Sequence, residues 1–402
     1  MTNQPANRPA QPSDQPEGHP FTMPSSKREA AQADSSRNDS ANFFAAKQQE
    51  TPQQEVLVRK RKRRNNKRKK RIHTTLIVLL VVVLVGGGTA FGIMNAIKAG
   101  EGAIHEAAQA EDIQTVENAV TYDEGKTVKY NGHTYALNEN MVSISIIGFD
   151  RTAPAVEGEK AGQADAVMVM ALDTKTGKAT AIGIPRDSMV EVGEFVGDAF
   201  AGLNTMQLCL AFGYGDGREA SCQYTTTVAS RVLYNMPISY YFALDLSGVG
   251  PLNDAIGGVA LTPLQSIPNT SIIEGQDTVL LGNNALRYVQ WRDTSVLTSS
   301  LDRQARQVQY IKAFAAQTLE MSQGNLGTLA DLFGTASQYS ITNLGLNEFS
   351  YLATSVVSNG ITSLDVVTLP GEMKQGEKYA EFYLDKSAVY ETVLNVYYQQ
   401  VD

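Results

Sequence analysis

Three groups of side chains in this sequence could do chemistry together: the carboxylates Asp150 and Asp165, the guanidinium of Arg186, and a later set of arginines at 292, 303 and 306. Asp165 precedes the apolar run 167–172, and Arg186-Asp187 follows the apolar run 179–184. Between the runs lies Asp173-Thr174-Lys175-Thr176-Gly177-Lys178, a polar stretch with a late glycine that reads as a turn. The two runs therefore make a hairpin, and Pro185 ends the pairing because it has no N–H to donate. A hairpin returns to the edge it left, so Asp165 and Arg186 meet. A carboxylate and a guanidinium converging on one sheet edge suggest a site for an anion and its counter-ion. Arg303 and Arg306 fall in the first turns of a helix predicted over 300–321, where the helix dipole disfavours cations. Arginines so placed serve either an anion that the helix amino end also attracts or merely the solvated surface.

Histidine usage narrows the chemistry. All four histidines (His19, His73, His105 and His133) precede residue 140. The body of the chain therefore has no Ser-His-Asp or Cys-His nucleophile and no histidine-ligated metal. Carboxylates, guanidinium groups and hard, oxygen-liking metals are what remain.

The elements that must position these groups alternate between strand and helix, which predicts an α/β layered domain. The run 167–172 is too continuously apolar for a half-exposed strand and belongs in the middle of a covered sheet. Residues 142–148 supply a first strand, and 128–137 a small hairpin on the Asn131-Gly132 turn. Helices are expected over 203–212, 224–234, 246–255, Asn283–Gln290, 300–321, 326–333, 348–357 and 386–398, with strands over 239–244 and 364–369. Gly213-Tyr214-Gly215-Asp216-Gly217 lacks the Gly-Lys-Ser/Thr ending of a phosphate loop. It is flanked by the two cysteines, Cys209 and Cys222. Outside a membrane these are expected to form a disulfide worth about 3 kcal/mol; the alternative is two buried thiols.

Charge divides the 402 residues unevenly. The net charge is −8, yet residues 59–71 are nearly all Lys and Arg, and from Lys98 onward the balance is roughly −17. Residues 72–97 carry no Asp, Glu, Lys or Arg, and such a length at 1.5 Å per residue spans a bilayer with some tilt. A basic run directly before an apolar span sets the amino side in the cytoplasm. The organisation expected is thus a disordered cytoplasmic tail over 1–58, a basic run over 59–71 and one transmembrane helix over 72–97. A stalk with the small hairpin over 98–140 and an extracytoplasmic domain over 141–402 follow. No apolar signal segment opens the sequence.

Several short motifs occur in order: Ile147-Gly148-Phe149-Asp150, Gln163-Ala164-Asp165, Ile184-Pro185-Arg186-Asp187, Asp254-Ala255-Ile256-Gly257-Gly258-Val259, Ala285 through Arg292, and Arg303-Gln304-Ala305-Arg306-Gln307. This succession, over roughly residues 141–320, resembles the LytR-CpsA-Psr family of bacterial cell-wall proteins. The resemblance implies an α/β/α layered domain with a mixed central sheet, holding a polyprenyl pyrophosphate lipid with its chain in an apolar tunnel. It implies transfer of a lipid-linked glycopolymer onto peptidoglycan with Mg2+. By position, Asp150 and Asp165 resemble the magnesium ligands and, with Arg186, the catalytic set. Arg186, Arg292, Arg303, Arg306, Gln307, Gln163 and Gln290 resemble the pyrophosphate-binding set. The sequence departs from the family pattern where Gln163 and Gln290 replace arginines, where Ser300 stands for an acidic residue near Asp302, and where Gly202 stands for a lysine. Arg151 and Arg287 are candidate compensating cations.

Two functions stay open on the sequence. One is a magnesium-dependent phosphotransferase; the other is a protein of the same fold that binds polyprenyl phosphate or wall polymer without turnover. The lost arginines favour the second, because charge-assisted hydrogen bonds are about twice as strong as neutral ones.

Overall fold

A computed structural model describes residues 95–101, 103, 104, 113–151, 160–196, 199–322 and 325–402. The predicted tail, basic run and most of the predicted membrane span lie outside these residues. Among the described residues no helix is long and apolar enough to cross a membrane.

Three short strands come first: β1 (Val120–Tyr122), β2 (Thr127–Tyr130) and β3 (His133–Leu137). β2 and β3 are joined by Asn131 (φ 51°) and Gly132 (φ 85°), the left-handed pair that matches the twist of a two-residue hairpin. The long apolar runs then build a six-stranded mixed sheet. Its members are β4 (Met141–Phe149), β5 (Ala164–Asp173), β6 (Ala179–Ile184), β9 (Tyr240–Asp245), β12 (Ser340–Thr342) and β13 (Asp365–Thr368), in the order β12-β9-β4-β5-β6-β13. The hairpin read from the sequence is its centre: β5 pairs antiparallel with β4 and β6, while β9 runs parallel to β4 and β13 parallel to β6.

Both faces of that sheet are apolar, as the uninterrupted run in β5 requires. Ile147 and Phe149 of β4, Val167, Val169 and Ala171 of β5, and Ile182 and Ile184 of β6 enter one core. Val142, Ile144 and Leu172 face the other way into a second core, against Leu344 and Leu352. The helices cover these faces: α1 (Leu210–Gly213), α2 (Glu219–Val232), α3 (Val249–Ala255), α4 (Asn283–Gln290), α5 (Ser299–Met321), α6 (Leu326–Ser337), α7 (Leu346–Ser358) and α8 (Lys386–Tyr397). The first core gathers Val228 and Ala229 of α2 with Val389 and Val393 of α8, whereas Leu352 of α7 lies in the second. The observed architecture is therefore helices on both sides of a mixed sheet.

Two smaller pairs, β7 (Met189–Val196) with β8 (Ala199–Gln207) and β14 (Gly371–Gln375) with β15 (Ala380–Leu384), lie outside the main sheet, as do β10 (Val259–Leu261) and β11 (Thr278–Leu280). β7 and β8 correct the expected helix over 203–212. Leu203 and Met206 have helical spacing, but their segment pairs with β7 in a two-stranded arm, and only Leu210–Gly213 is helical. The stretch from 113 to 137 is joined to the domain. Val128 and Tyr130 are buried in the first core, and the last strand, β16 (Tyr398–Gln400), pairs with β3.

The turn of the central hairpin is fixed by one residue. Gly177 has φ +72°, and a Cβ there would stand 2.4 Å from the carbonyl oxygen of Ser355 in α7. Asp173 anchors the same turn. Its Oδ1 accepts from the backbone N–H groups of Lys175 (2.9 Å) and Thr176 (3.2 Å), and its Oδ2 from Asn138 Nδ2 (3.0 Å).

Candidate active site

The strand register gathers the predicted residues at one end of the sheet. Phe149 pairs with Ala164, which puts Asp150 just past the end of β4 and Asp165 just inside β5, while Ile184 opposite Val167 brings Arg186 alongside. Arg186 pairs with Asp165 through Nη1, donates to Gln163 Oε1 and Cys209 Sγ through Nη2, and holds Nε 3.4 Å from Asp187 Oδ1. Arg303, one turn into α5, reaches back to the same carboxylate: its Nη1 is 3.1 Å from Asp165 Oδ1, and its Nη2 donates to the Asp165 carbonyl at 3.3 Å. Arg292 donates to Ser299 Oγ at 3.2 Å.

The electrostatics of this cluster favour an incoming anion. Burial opposes the charge on Arg303, and Arg186 and Arg292 repel it. Asp165 offsets only part of this, so the guanidinium titrates down at about 10. Arg186 is also buried, but Cys209, Asp165 and Asp187 together more than compensate and its pKa is raised. Three arginines thus face two carboxylates. Buried polar atoms in and beside the cluster, among them Arg186 Nε, Asp187 Oδ2, Ser300 Oγ and Arg303 Nε, have no hydrogen-bond partner.

An apolar cavity of about 450 Å3 lies over the same sheet face, walled by Ile144, Ile146, Met170, Leu172, Phe242 and Phe314 among others. One face of α5 connects it to the charged end. Ser300, Gln304 and Gln307 line the small cleft shared with Asp165 and Arg186, and the same stripe continues as Ile311, Phe314, Ala315, Thr318 and Leu319 along the cavity. On β5 the order repeats: Ala166 and Met168 line the cleft, Met170 and Leu172 the cavity. A polar head and an apolar tail are therefore built into one helix face and one strand.

Not every predicted residue joins the cluster. Arg306 is a correction: it is 1% exposed, with Nε on the Tyr288 carbonyl (3.0 Å), Nη2 on the Trp291 carbonyl, Nη1 on Gln265 and its plane 5.4 Å from the Trp291 ring. It satisfies carbonyls at the end of α4 and does not line the cleft that holds Asp165 and Arg186. Gln307 likewise donates to the Val289 carbonyl (3.1 Å), though it still lines the cleft. Gln290 is exposed at the last position of α4. Of the two candidate compensating cations, Arg151 pairs with Asp245 at 3.3 Å and Arg287 donates to the Pro268 carbonyl at 3.0 Å.

The predicted disulfide is a second correction. Cys209 and Cys222 are both free thiols, fully buried. Cys209 points its sulfur at Arg186, while Cys222 packs in the first core beside the sheet. Burial raises the pKa of both thiols, that of Cys222 to about 12. The contact of Cys209 with Arg186 gave no signal in the sequence. Gln304 could have been found there, since 300, 304, 307 and 311 form one helical stripe.

Among the described residues no group of three or more His, Cys, Asp and Glu gathers to hold a metal. Two carboxylates at one strand end suit Mg2+, which is commonly held by one or two carboxylates together with substrate phosphates, and not a cage made wholly of protein. Asp150 lines a different, polar cleft of about 730 Å3, with Arg151, Lys160, Arg218 and Gln338.

The model of the LytR_cpsA_psr family matches residues 105–395. Among curated proteins, the polyisoprenyl-teichoic acid–peptidoglycan teichoic acid transferase TagU of Bacillus mycoides is 24% identical over 255 residues, 63% of this chain and 77% of that protein. Of solved structures, B. subtilis TagV superposes with a TM-score of 0.51 at 21% identity, covering 64% of this chain and 95% of that one. Protein gbs0355 from Streptococcus agalactiae does so with a TM-score of 0.53 at 16% identity, covering 65% and 90%. These two likenesses show the fold.

Proposed function

The chain belongs to the LytR-CpsA-Psr family, and from that premise we propose that it is a membrane-anchored phosphotransferase, moving a glycopolymer from a polyprenyl diphosphate carrier onto peptidoglycan. The observation that carries this reading is the continuous face of α5, polar over its first turns beside Asp165 and Arg186 and apolar along the cavity beyond. A prenyl chain fits the cavity and a diphosphate fits the arginines. The named activity of the TagU relative is of the same class.

Arg303 and Arg186, with Arg292 at the rim, would bind the diphosphate and stabilise charge as it shifts toward the leaving group, which is where most catalysis of phosphoryl transfer resides. A sugar hydroxyl of the acceptor attacks the sugar-proximal phosphorus; the new O–P bond forms as the phosphoanhydride bond breaks, and polyprenyl phosphate departs. Asp150, just past the end of β4, would accept the hydroxyl proton, a task for which no histidine is at hand. Asp150 and Asp165 would hold Mg2+, which supplies additional positive charge to the phosphates when bound. The basic run and apolar span before the domain support a single-pass protein at the cell membrane with the domain outside.

The test is to incubate the full chain with a polyprenyl-diphosphate oligosaccharide, a peptidoglycan fragment and Mg2+. Oligosaccharide joined to the fragment, with polyprenyl phosphate released, is the expected result. A second reading draws on the double engagement of Asp165 by Arg186 and Arg303 and on the neutral Gln163 and Gln290: binding of the lipid without turnover. Tight lipid binding with no transferred product would establish that reading in place of the first.

A further inference from the structure

Arg186 has four partners at the charged end of the sheet, and two of them are neutral. Its Nη2 meets Gln163 Oε1 and, at 3.1 Å, Cys209 Sγ. Those two atoms lie 3.7 Å apart, so the three form a triangle around one nitrogen. The backbone joins the same residues, since the Cys209 N–H donates to the Arg186 carbonyl at 3.0 Å. No disulfide engages the sulfur, and burial raises the thiol's pKa, so it stays uncharged at neutral pH.

The charge count gives those neutral partners a purpose. Asp165 and Asp187 already oppose Arg186. A third carboxylate at 163 or 209 would cancel what positive charge is left for a ligand, and a cation there would repel the guanidinium directly. A neutral acceptor fixes direction without taking charge, and a thiol is a weak one that orients with little competition. We propose that Gln163 and Cys209 are positioning residues that aim the Arg186 fork at the diphosphate without spending its charge. This rests on the function proposed above and reassigns Gln163 from ligand contact to support.

The experiment measures binding of farnesyl diphosphate to the full chain by calorimetry, with melting temperature in parallel. Cys209→Ala should weaken binding about five-fold and Gln163→Leu about ten-fold, because each removes an acceptor from a charged donor. Cys209→Ser should recover part of the loss. In an Arg186→Lys background, where no fork remains to be aimed, Cys209→Ala should cost less than about two-fold. Retention of the full loss in that background, or no loss in the single variants, overturns the proposal. A ligand-free measurement separates this result from failure of the functional reading: the NMR order parameter of the Arg186 Nε–H should fall in Cys209→Ala and Gln163→Leu. Unchanged order refutes the positioning role whatever binds. Lowered order in a protein that ignores farnesyl diphosphate would retain the role and sink the proposed function.

Discussion

Arg303 carries its charge at a cost, and removing that charge should stabilise the protein while disabling it. Its pKa is lowered to about 10, chiefly through burial and then through the neighbouring guanidinium groups, against the partial offset of Asp165. At about 1.4 kcal/mol per unit this is a penalty on the order of 3 kcal/mol. Because the folded value lies below the unfolded one, the penalty is complete below about pH 10 and disappears as the pH rises from there toward the unfolded value. Arg303→Met removes it. The substitution also loses the bond to the Asp165 carbonyl, about 1 kcal/mol, while Asp165 keeps Arg186 as its partner. The net gain is about 2 kcal/mol, or a rise in melting temperature of roughly 5 °C at neutral pH. Ligand should reverse the ranking. At a concentration of farnesyl diphosphate about 100 times its Kd, the wild type gains about 3 kcal/mol, and the variant, lacking a charge-assisted donor, gains under about 1 kcal/mol. Scanning calorimetry with and without the ligand measures both quantities. A variant that melts lower than wild type when empty, or gains as much from the ligand, would refute the reasoning.

Other perturbations test other parts of the structure. Gly177→Ala combines a left-handed φ with a Cβ driven against the Ser355 carbonyl, and should cost about 2 kcal/mol or more by urea denaturation; a loss below about 0.5 kcal/mol would mean that α7 simply moves aside. Asp173 is partly buried, yet hydrogen bonds from Asn138, Thr176 and Lys175 lower its pKa. Its stabilisation is therefore present above the unfolded value and lost as the pH falls through the folded one. Asp173→Asn should flatten the acid limb of the stability curve below about pH 4 by about 1 kcal/mol, and an unchanged limb would contradict the assignment. Ala315→Trp, filling the apolar cavity, should abolish farnesyl diphosphate binding but spare binding of inorganic diphosphate; equal loss of both would separate the cavity from the charged cluster. Arg186→Lys should lose most diphosphate binding and also lower the melting temperature, because lysine cannot reproduce the planar fork that meets Asp165, Gln163 and Cys209; unchanged diphosphate binding would remove Arg186 from the site.

The parts of the fold governed by local pattern were readable in the sequence. The central hairpin, the helix Asn283–Gln290 and the long helix α5 follow from uninterrupted or 3.6-periodic apolar residues, and the structure has them with bounds within three residues. The arm made of β7 and β8 was not readable as such. β8 is largely exposed, so no buried face imposed the two-residue alternation that identifies a strand. Arg303 and Arg306 show the limit for sites. Both lie in the wrong place for the helix dipole, but they are only three residues apart, and Arg306 turns to carbonyls of α4 and the loop after it. Cysteine pairing failed because the argument rested on compartment, whereas geometry depends on where each sulfur points. The meeting of Asp165 and Arg186 succeeded because a hairpin's connectivity alone enforces it.

The pairing of β16 with β3 carries a consequence for how the chain must be made. Tyr398, Gln399 and Gln400 complete a sheet begun near residue 120, and the Tyr398 hydroxyl donates to the Gly125 carbonyl at 2.8 Å. During synthesis the hairpin of β2 and β3 therefore waits for residues 398–400 before its outer edge is covered. Contacts of such long sequence separation form late. Until then β3 offers an open edge, and Val128 and Tyr130 lack the α8 side of their core, the condition in which partly folded chains associate wrongly. A chain lacking residues 398–400 would carry that open edge permanently, so the sheet begun near residue 120 is only as secure as a three-residue strand far along the chain.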